Sequence, residues 1–288
     1  MIHTSTQLKA LVRNLSNGDS TKAQTIIRAY AMERFLERLS LSEYRDNMIL
    51  KGGALIASMV GIDSRSTFDI DAAIKNHPLS ESGIASIVKE IAAVAIGDGV
   101  TFEVMQATSI MDGMEYPGIR VALKAHFDLM RIPLKIDFSA GDVITPREVT
   151  YQYNLLFEDR EISLLAYNLE TVLAEKMETL LSRGTINTRM RDYYDLYVLD
   201  SMYSENVDYS LLKRALINTT ADRGSNALLT DIALILDEIE SSDNIAKHWI
   251  RYQDKFDYAA EIGFADVMQA VRKFFGEARV VAAIDEAR

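Results

Sequence analysis

Five short stretches between residues 46 and 145 read as β-strands: "NMIL", "TFDIDAAI", "TFEVMQATSI", "GIRVALKAHFD" and "IPLKIDFS". Nearly everything before and after them repeats its apolar residues every third or fourth position, as helices do. Neither set can bury its apolar face alone, so the chain must fold as a sheet with helices packed against it. The first 45 residues are expected to be helical, with Asp19, Ser20 and Thr21 offering caps for the second helix. A further helix follows Ser80 and Ser82, and from about residue 160 the pattern is almost wholly helical. The division this predicts is a helical segment over 1–45, an α+β core over 46–160 and a helical domain over 161–288.

Within that frame, "RSTFDIDAAI" (65–74) sets Asp69 and Asp71 at alternate positions of an apolar strand, facing one way. Two carboxylates held close repel unless a cation sits between them. The partner is either a side chain such as Arg65 or a divalent metal, since Mg²⁺ takes hard oxygen ligands and bridges to phosphates. Asp137 in "KIDFS" brings a third carboxylate into reach if its strand lies beside the first; taken alone it is an ordinary strand-end aspartate. "LKGGAL" places Gly52 and Gly53 between a strand and a helix, either as a plain turn or as one where backbone N–H groups approach a phosphate. In "AEKMETLLSRGTINTRMRDYYDLYVL", Lys176, Arg189, Asp192 and Asp195 are either surface ion pairs or, for Lys176, a point charge reaching a triphosphate.

Together these four features resemble the polymerase-β-like nucleotidyltransferase superfamily, and the later helical motif resembles the AbiEii/AbiGii toxins of abortive-infection toxin–antitoxin pairs. The resemblance runs from about residue 48 to 200. It implies a mixed sheet flanked by helices, with a helical C-terminal domain. It implies Asp69, Asp71 and Asp137 as ligands of Mg²⁺, two ions in all, and Asp137 as the group that activates an acceptor hydroxyl. Lys51, Gly52, Gly53, Arg65, Lys176 and Arg189 are then expected at a nucleoside triphosphate, and Lys176 and Asp195 match the family's later lysine and aspartate. A tRNA acceptor and a cognate antitoxin follow from the same likeness. One departure is Ala54, where the superfamily turn carries a hydroxyl.

Composition bounds the alternatives. The chain has no cysteine, so disulfides and thiolate metal sites are excluded and a cytoplasmic setting is favoured. No apolar run approaches a membrane span, and the N-terminus lacks a signal-like pattern. The four histidines, His3, His77, His126 and His248, show no metal-ligand spacing. A net charge of −11 argues against a general nucleic-acid coating protein. It leans instead toward a second reading, a small-molecule transferase of the antibiotic-modifying sort, whose acceptors are often cationic. A third reading makes the N-terminal helices a DNA or partner contact. There Lys9, Arg13, Lys22, Arg28, Arg34 and Arg38 are nearly balanced by Asp19, Glu33 and Glu37, a poor electrostatic footprint for DNA.

Overall fold

In the computed structural model, residues 2–110 and 118–278 are described. The helical opening is α1 (Ser5–Ser16), capped by Thr4, and α2 (Ser20–Leu41), capped by Asp19 as the sequence indicates. There follow β1 (Met48–Lys51), α3 (Gly52–Val60), β2 (Ile70–Ile74), α4 (Glu81–Ala93), β3 (Val100–Ile110), β4 (Gly118–Phe127) and β5 (Met130–Ser139). Two further strands, β6 (Val149–Asn154) and β7 (Glu161–Ala166), form a hairpin where the sequence reading placed no strand. The turn expected over "MDGMEYPG" lies, but for Gly118, outside the described residues.

All seven strands join one mixed sheet in the order β3-β4-β5-β2-β1-β7-β6. The β2–β5 and β1–β7 pairs are parallel and the rest antiparallel. By internal contacts the chain divides into two units, Met1–Asp142 with Glu148–Tyr167, and Val143–Arg147 with Asn168–Arg288. The sheet and all of its strands belong to the first.

The apolar side of the sheet is covered by α2 and α4. Tyr30 and Phe35 of α2 meet Phe127 and Phe102, with ring centroids 6.1 and 5.7 Å apart. Helix α2 also buries Glu33, Arg34, Glu37 and Arg38. Arg34 pairs with Glu37 and Glu158, Arg160 reaches Glu37 at 2.6 Å, and Arg38 grips Asp98 through both terminal nitrogens at 2.9 and 2.8 Å. Two of the six cations in the DNA-contact reading, Arg34 and Arg38, are therefore internal and do not belong to that surface. The charges are tolerated in the interior because each is paired, and pairing offsets the cost of desolvation.

Glu33 is the exception. Its two oxygens accept the Leu156 N–H at 3.1 Å, yet it is 2 % exposed, and burial pushes its pKa from 4.5 up to about 8 against the pull of that N–H and of Arg34. A carboxyl whose folded pKa is raised favours folding below its unfolded pKa, and that contribution is lost as pH rises through about 8. Glu33→Gln keeps an acceptor for Leu156 and removes the titration. Its stability should gain on the native protein between pH ~4.5 and ~8, at about 1.4 kcal/mol per pKa unit. Urea melts followed by far-UV circular dichroism across that window check this; parallel pH profiles would contradict it.

The second unit is helical: α5 (Leu169–Arg183), α6 (Met190–Tyr203), α7 (Tyr209–Asp222), α8 (Ile232–Glu240), α9 (Asp243–Lys255) and α10 (Phe264–Glu277). Its core includes Trp249, stacked on Tyr252 and donating to the Ile262 carbonyl at 3.0 Å. Tyr193 and Tyr194, 0 % and 3 % exposed, are core side chains. No described helix is long and apolar enough to cross a membrane.

Candidate active site

The glycine turn joins β1 to α3, and its shape is set by an aspartate on the neighbouring strand. Gly52 has φ +61°, and a Cβ there would overlap the Asp71 carboxylate. Gly53 donates its N–H to Asp71 Oδ2 at 3.2 Å. A Cβ on Gly53 would press on Thr67 Oγ1 and Arg65 Nη2 at 3.1 and 3.2 Å. The two glycines therefore let a carboxylate tuck against the start of a helix, where N–H groups and the helix dipole favour negative charge. Gly52→Ala should lower stability by about 1–3 kcal/mol, since both the backbone conformation and the Asp71 contact are lost. An unchanged melting temperature for this variant would contradict the geometry.

Asp71 is one of a row of charged residues crossing four adjacent strands. Lys51 of β1 pairs in register with Asp71 of β2, Asp71 with Asp137 of β5, and Asp137 with Arg120 of β4. Residues in register share a face, so the order is cation, carboxylate, carboxylate, cation. Arg120 holds Asp137 side-on, Nε to Oδ1 at 2.8 Å and Nη2 to Oδ2 at 2.7 Å. Lys51 Nζ pairs with Asp142, which also accepts from the Tyr167 hydroxyl and from Ser139 Oγ at 2.7 Å. Burial acts to raise the Asp142 pKa, but Lys51 and these donors outweigh it and keep the carboxyl low.

Asp69 lies one residue before β2, not within a strand shared with Asp71 as the sequence pattern suggests. It is nonetheless close enough for its charge to act on both Asp71 and Arg120. Burial raises the pKa of Asp71, with Asp137 and Asp69 adding to the effect and the Gly53 N–H and Lys51 opposing it. The charges of Asp137 and Asp69 thus both act on Asp71, beside the glycine turn. Arg65, expected at the nucleotide, is 3 % exposed, lies beside Gly53 and hydrogen-bonds the Ser66 carbonyl. Arg120 escaped the sequence reading. Its signal is a charged residue in the alternation of "GIRVALKAHF", but the register that sets it on Asp137 is a long-range property.

Among the described residues no three acidic or histidine side chains form a ready-made metal cage. Asp137 presents both of its oxygens to Arg120. The donor set is all hard oxygen, the kind Mg²⁺ takes, and the charges of Asp137 and Asp69 add to the burial that raises Asp71.

The remaining expected site residues lie in the second unit. Lys176 is buried, with Nζ 2.9 Å from Asp192 Oδ1 and 2.7 Å from Asp195 Oδ2. Burial acts to lower the Lys176 pKa, but the two carboxylates overcome it and hold the ammonium charged. Burial likewise opposes ionisation of Asp192, and Lys176 and Arg189 more than reverse this. Arg189 Nε meets Asp192 Oδ2 at 2.7 Å, with half of its side chain exposed.

A sequence profile of the AbiEii nucleotidyltransferase toxins, of type IV toxin–antitoxin systems, matches residues 34–273. The chain belongs to the AbiEii nucleotidyltransferase toxin family. Two crystal structures from Helicobacter pylori share its fold with a TM-score of 0.51. One, of a protein assigned as a nucleotidyltransferase, is 15 % identical and covers 92 % of this chain and 98 % of its own. The other, JHP933, is 14 % identical, with coverages of 92 % and 94 %. No curated protein sequence matches the chain. The glycine turn and the strands that carry Asp71 and Asp137 lie within the matched span.

Proposed function

We propose that this AbiEii-family protein transfers a nucleotide from a nucleoside triphosphate to an acceptor hydroxyl at the carboxylate row. The observation that carries the reading is the in-register row Lys51–Asp71–Asp137–Arg120 beside the Gly52–Gly53 turn. Asp69 and Asp71, with Asp137 as third ligand, would hold Mg²⁺, which supplies charge neutralisation at the attacking and leaving oxygens. The triphosphate lies at the start of α3, where the helix dipole favours anions and glycine removes the side-chain bulk. Asp137 takes the proton of the acceptor hydroxyl. The new bond joins that oxygen to the α-phosphorus, the α–β phosphoanhydride bond breaks, and pyrophosphate leaves. Arg120 fixes the orientation of Asp137. In the second unit the buried Lys176–Asp192–Asp195 group orients Arg189, whose half-exposed guanidinium can meet an anion.

The acceptor in this reading is a nucleic acid such as tRNA, the partner is a cognate antitoxin, and the setting is the cytoplasm. Incubation of the protein with each α-labelled nucleoside triphosphate and Mg²⁺ tests the proposal, with total RNA in one arm and cationic antibiotics in the other. Label in RNA, lost on chelation, is expected. Label only in the small molecule would move the activity to the antibiotic-modifying class, and no label in either would overturn the reading.

A further inference from the structure

The polar face of the sheet continues beyond the carboxylates. On β4 and β5 every second residue is buried toward α2 and α4, and the alternate positions look the other way, half-buried on β4 and mostly exposed on β5. Asp137 and Arg120 belong to this open face. Moving along β5 away from Asp137, the next rows pair Lys135 with Ala122, Pro133 with Lys124, and Arg131 with His126. After Arg120, each successive row therefore presents one lysine or arginine: Lys135, then Lys124, then Arg131. The rows are two residues, or about 7 Å, apart.

Among the described residues Lys135 and Lys124 have no carboxylate within ion-pair distance. Glu103 on β3, opposite Lys124 in register, gives its carboxylate to His126 at 3.0 Å. A one-sided row of cations on a chain of net charge −11 is a local reversal of sign. It begins at the carboxylate that would activate the acceptor.

Resting on the transfer reading above, we infer that the open β4–β5 face is the acceptor track and that its occupant is a nucleic-acid strand. The strand's reactive hydroxyl lies at Asp137, and its successive backbone phosphates lie on Lys135, Lys124 and Arg131. Phosphate contacts of this kind fix register and direction without reading bases. The same face repels a cationic small molecule, so it separates the two acceptor classes.

The test is fluorescence anisotropy of a labelled single-stranded RNA oligonucleotide on the full-length protein. It is run without triphosphate across a range of KCl, for wild type, Lys124→Gln/Lys135→Gln and Lys9→Gln/Arg13→Gln. Removing two phosphate contacts should flatten the slope of log K against log salt by about 1.4 and weaken low-salt binding roughly tenfold. The Lys9/Arg13 pair, which changes net charge equally on the exposed side of α1, should leave the slope as in wild type. Equal slopes for all three proteins, or equal losses in both variants, would overturn the track. Binding of a fluorescent nucleoside triphosphate with Mg²⁺ is measured in parallel. If it is retained while the oligonucleotide arm fails, the track alone is wrong; if wild type binds no triphosphate, the transfer site is wrong.

Discussion

Asp71→Asn is expected to abolish nucleotidyl transfer and, in the same protein, to raise the melting temperature. The loss follows from position. Asp71 is the half-buried carboxylate between the glycine turn and Asp137, and asparagine cannot supply the charge that a cation at this cluster requires. Removal of a single preorganised electrostatic group costs on the order of 10²–10³ in turnover, and a metal ligand should cost at least that. The gain in stability follows from linkage. The pKa of Asp71 is raised in the fold, chiefly by burial, so its contribution to stability is present below its unfolded pKa and lost as pH rises through the folded one. At neutral pH, above its unfolded pKa, the carboxyl therefore opposes folding relative to a side chain that does not titrate. Asparagine is nearly isosteric, still accepts the Gly53 N–H, and removes that opposition. Each kcal/mol relieved should raise the melting temperature by about 2–4 °C in a protein of this size. Residual activity near wild type, or a lower melting temperature, would count against a functional strain at this site.

The second large effect lies in the helical unit. Lys176→Met leaves Asp192 and Asp195, both buried, without the ammonium that holds them together. Breaking a buried ion pair by removing one member costs about 3–5 kcal/mol, because the remaining charge is left in a poor solvent. Trp249 is the only tryptophan and sits in this unit's core, so its fluorescence reports the unfolding directly. A denaturation midpoint shifted strongly down in Lys176→Met, and partly restored in Lys176→Met/Asp195→Leu, is the expected pattern. A variant with unchanged stability and lost activity would instead make Lys176 a ligand-contacting residue.

How far the letters alone carry the structure depends on range. The period-two pattern of "GIRVALKAHFD" and "IPLKIDFS" and the caps at Asp19 and Ser80 are local, and β4, β5 and these two capped helices are where the signals place them. The β6–β7 hairpin was not legible as such. "VTYQYN" and "EISLLA" are short, and the second runs into a strong helical pattern that draws the whole region toward helix. Asp69 precedes its strand by one residue, because alternation does not mark where the first ladder hydrogen bond forms. The approach of Asp71 and Asp137 depends on β2 lying parallel to β5 across 66 positions of chain, a pairing no spacing encodes. Arg34 and Arg38 misled in the opposite direction. Charges on a helix read as a solvated face, and only the partners Glu158 and Asp98, distant in sequence, allow them inside.

The carboxylate row is expected to move a nucleotide rather than a phosphate or nothing at all. The direct measurement is the intact mass of the acceptor after incubation with each of the four nucleoside triphosphates and Mg²⁺. Wild type should add one or more nucleoside monophosphates with an equal count of pyrophosphate, and Asp71→Asn should add none. A gain of phosphate alone, an unchanged mass, or the same gain in both proteins would contradict it.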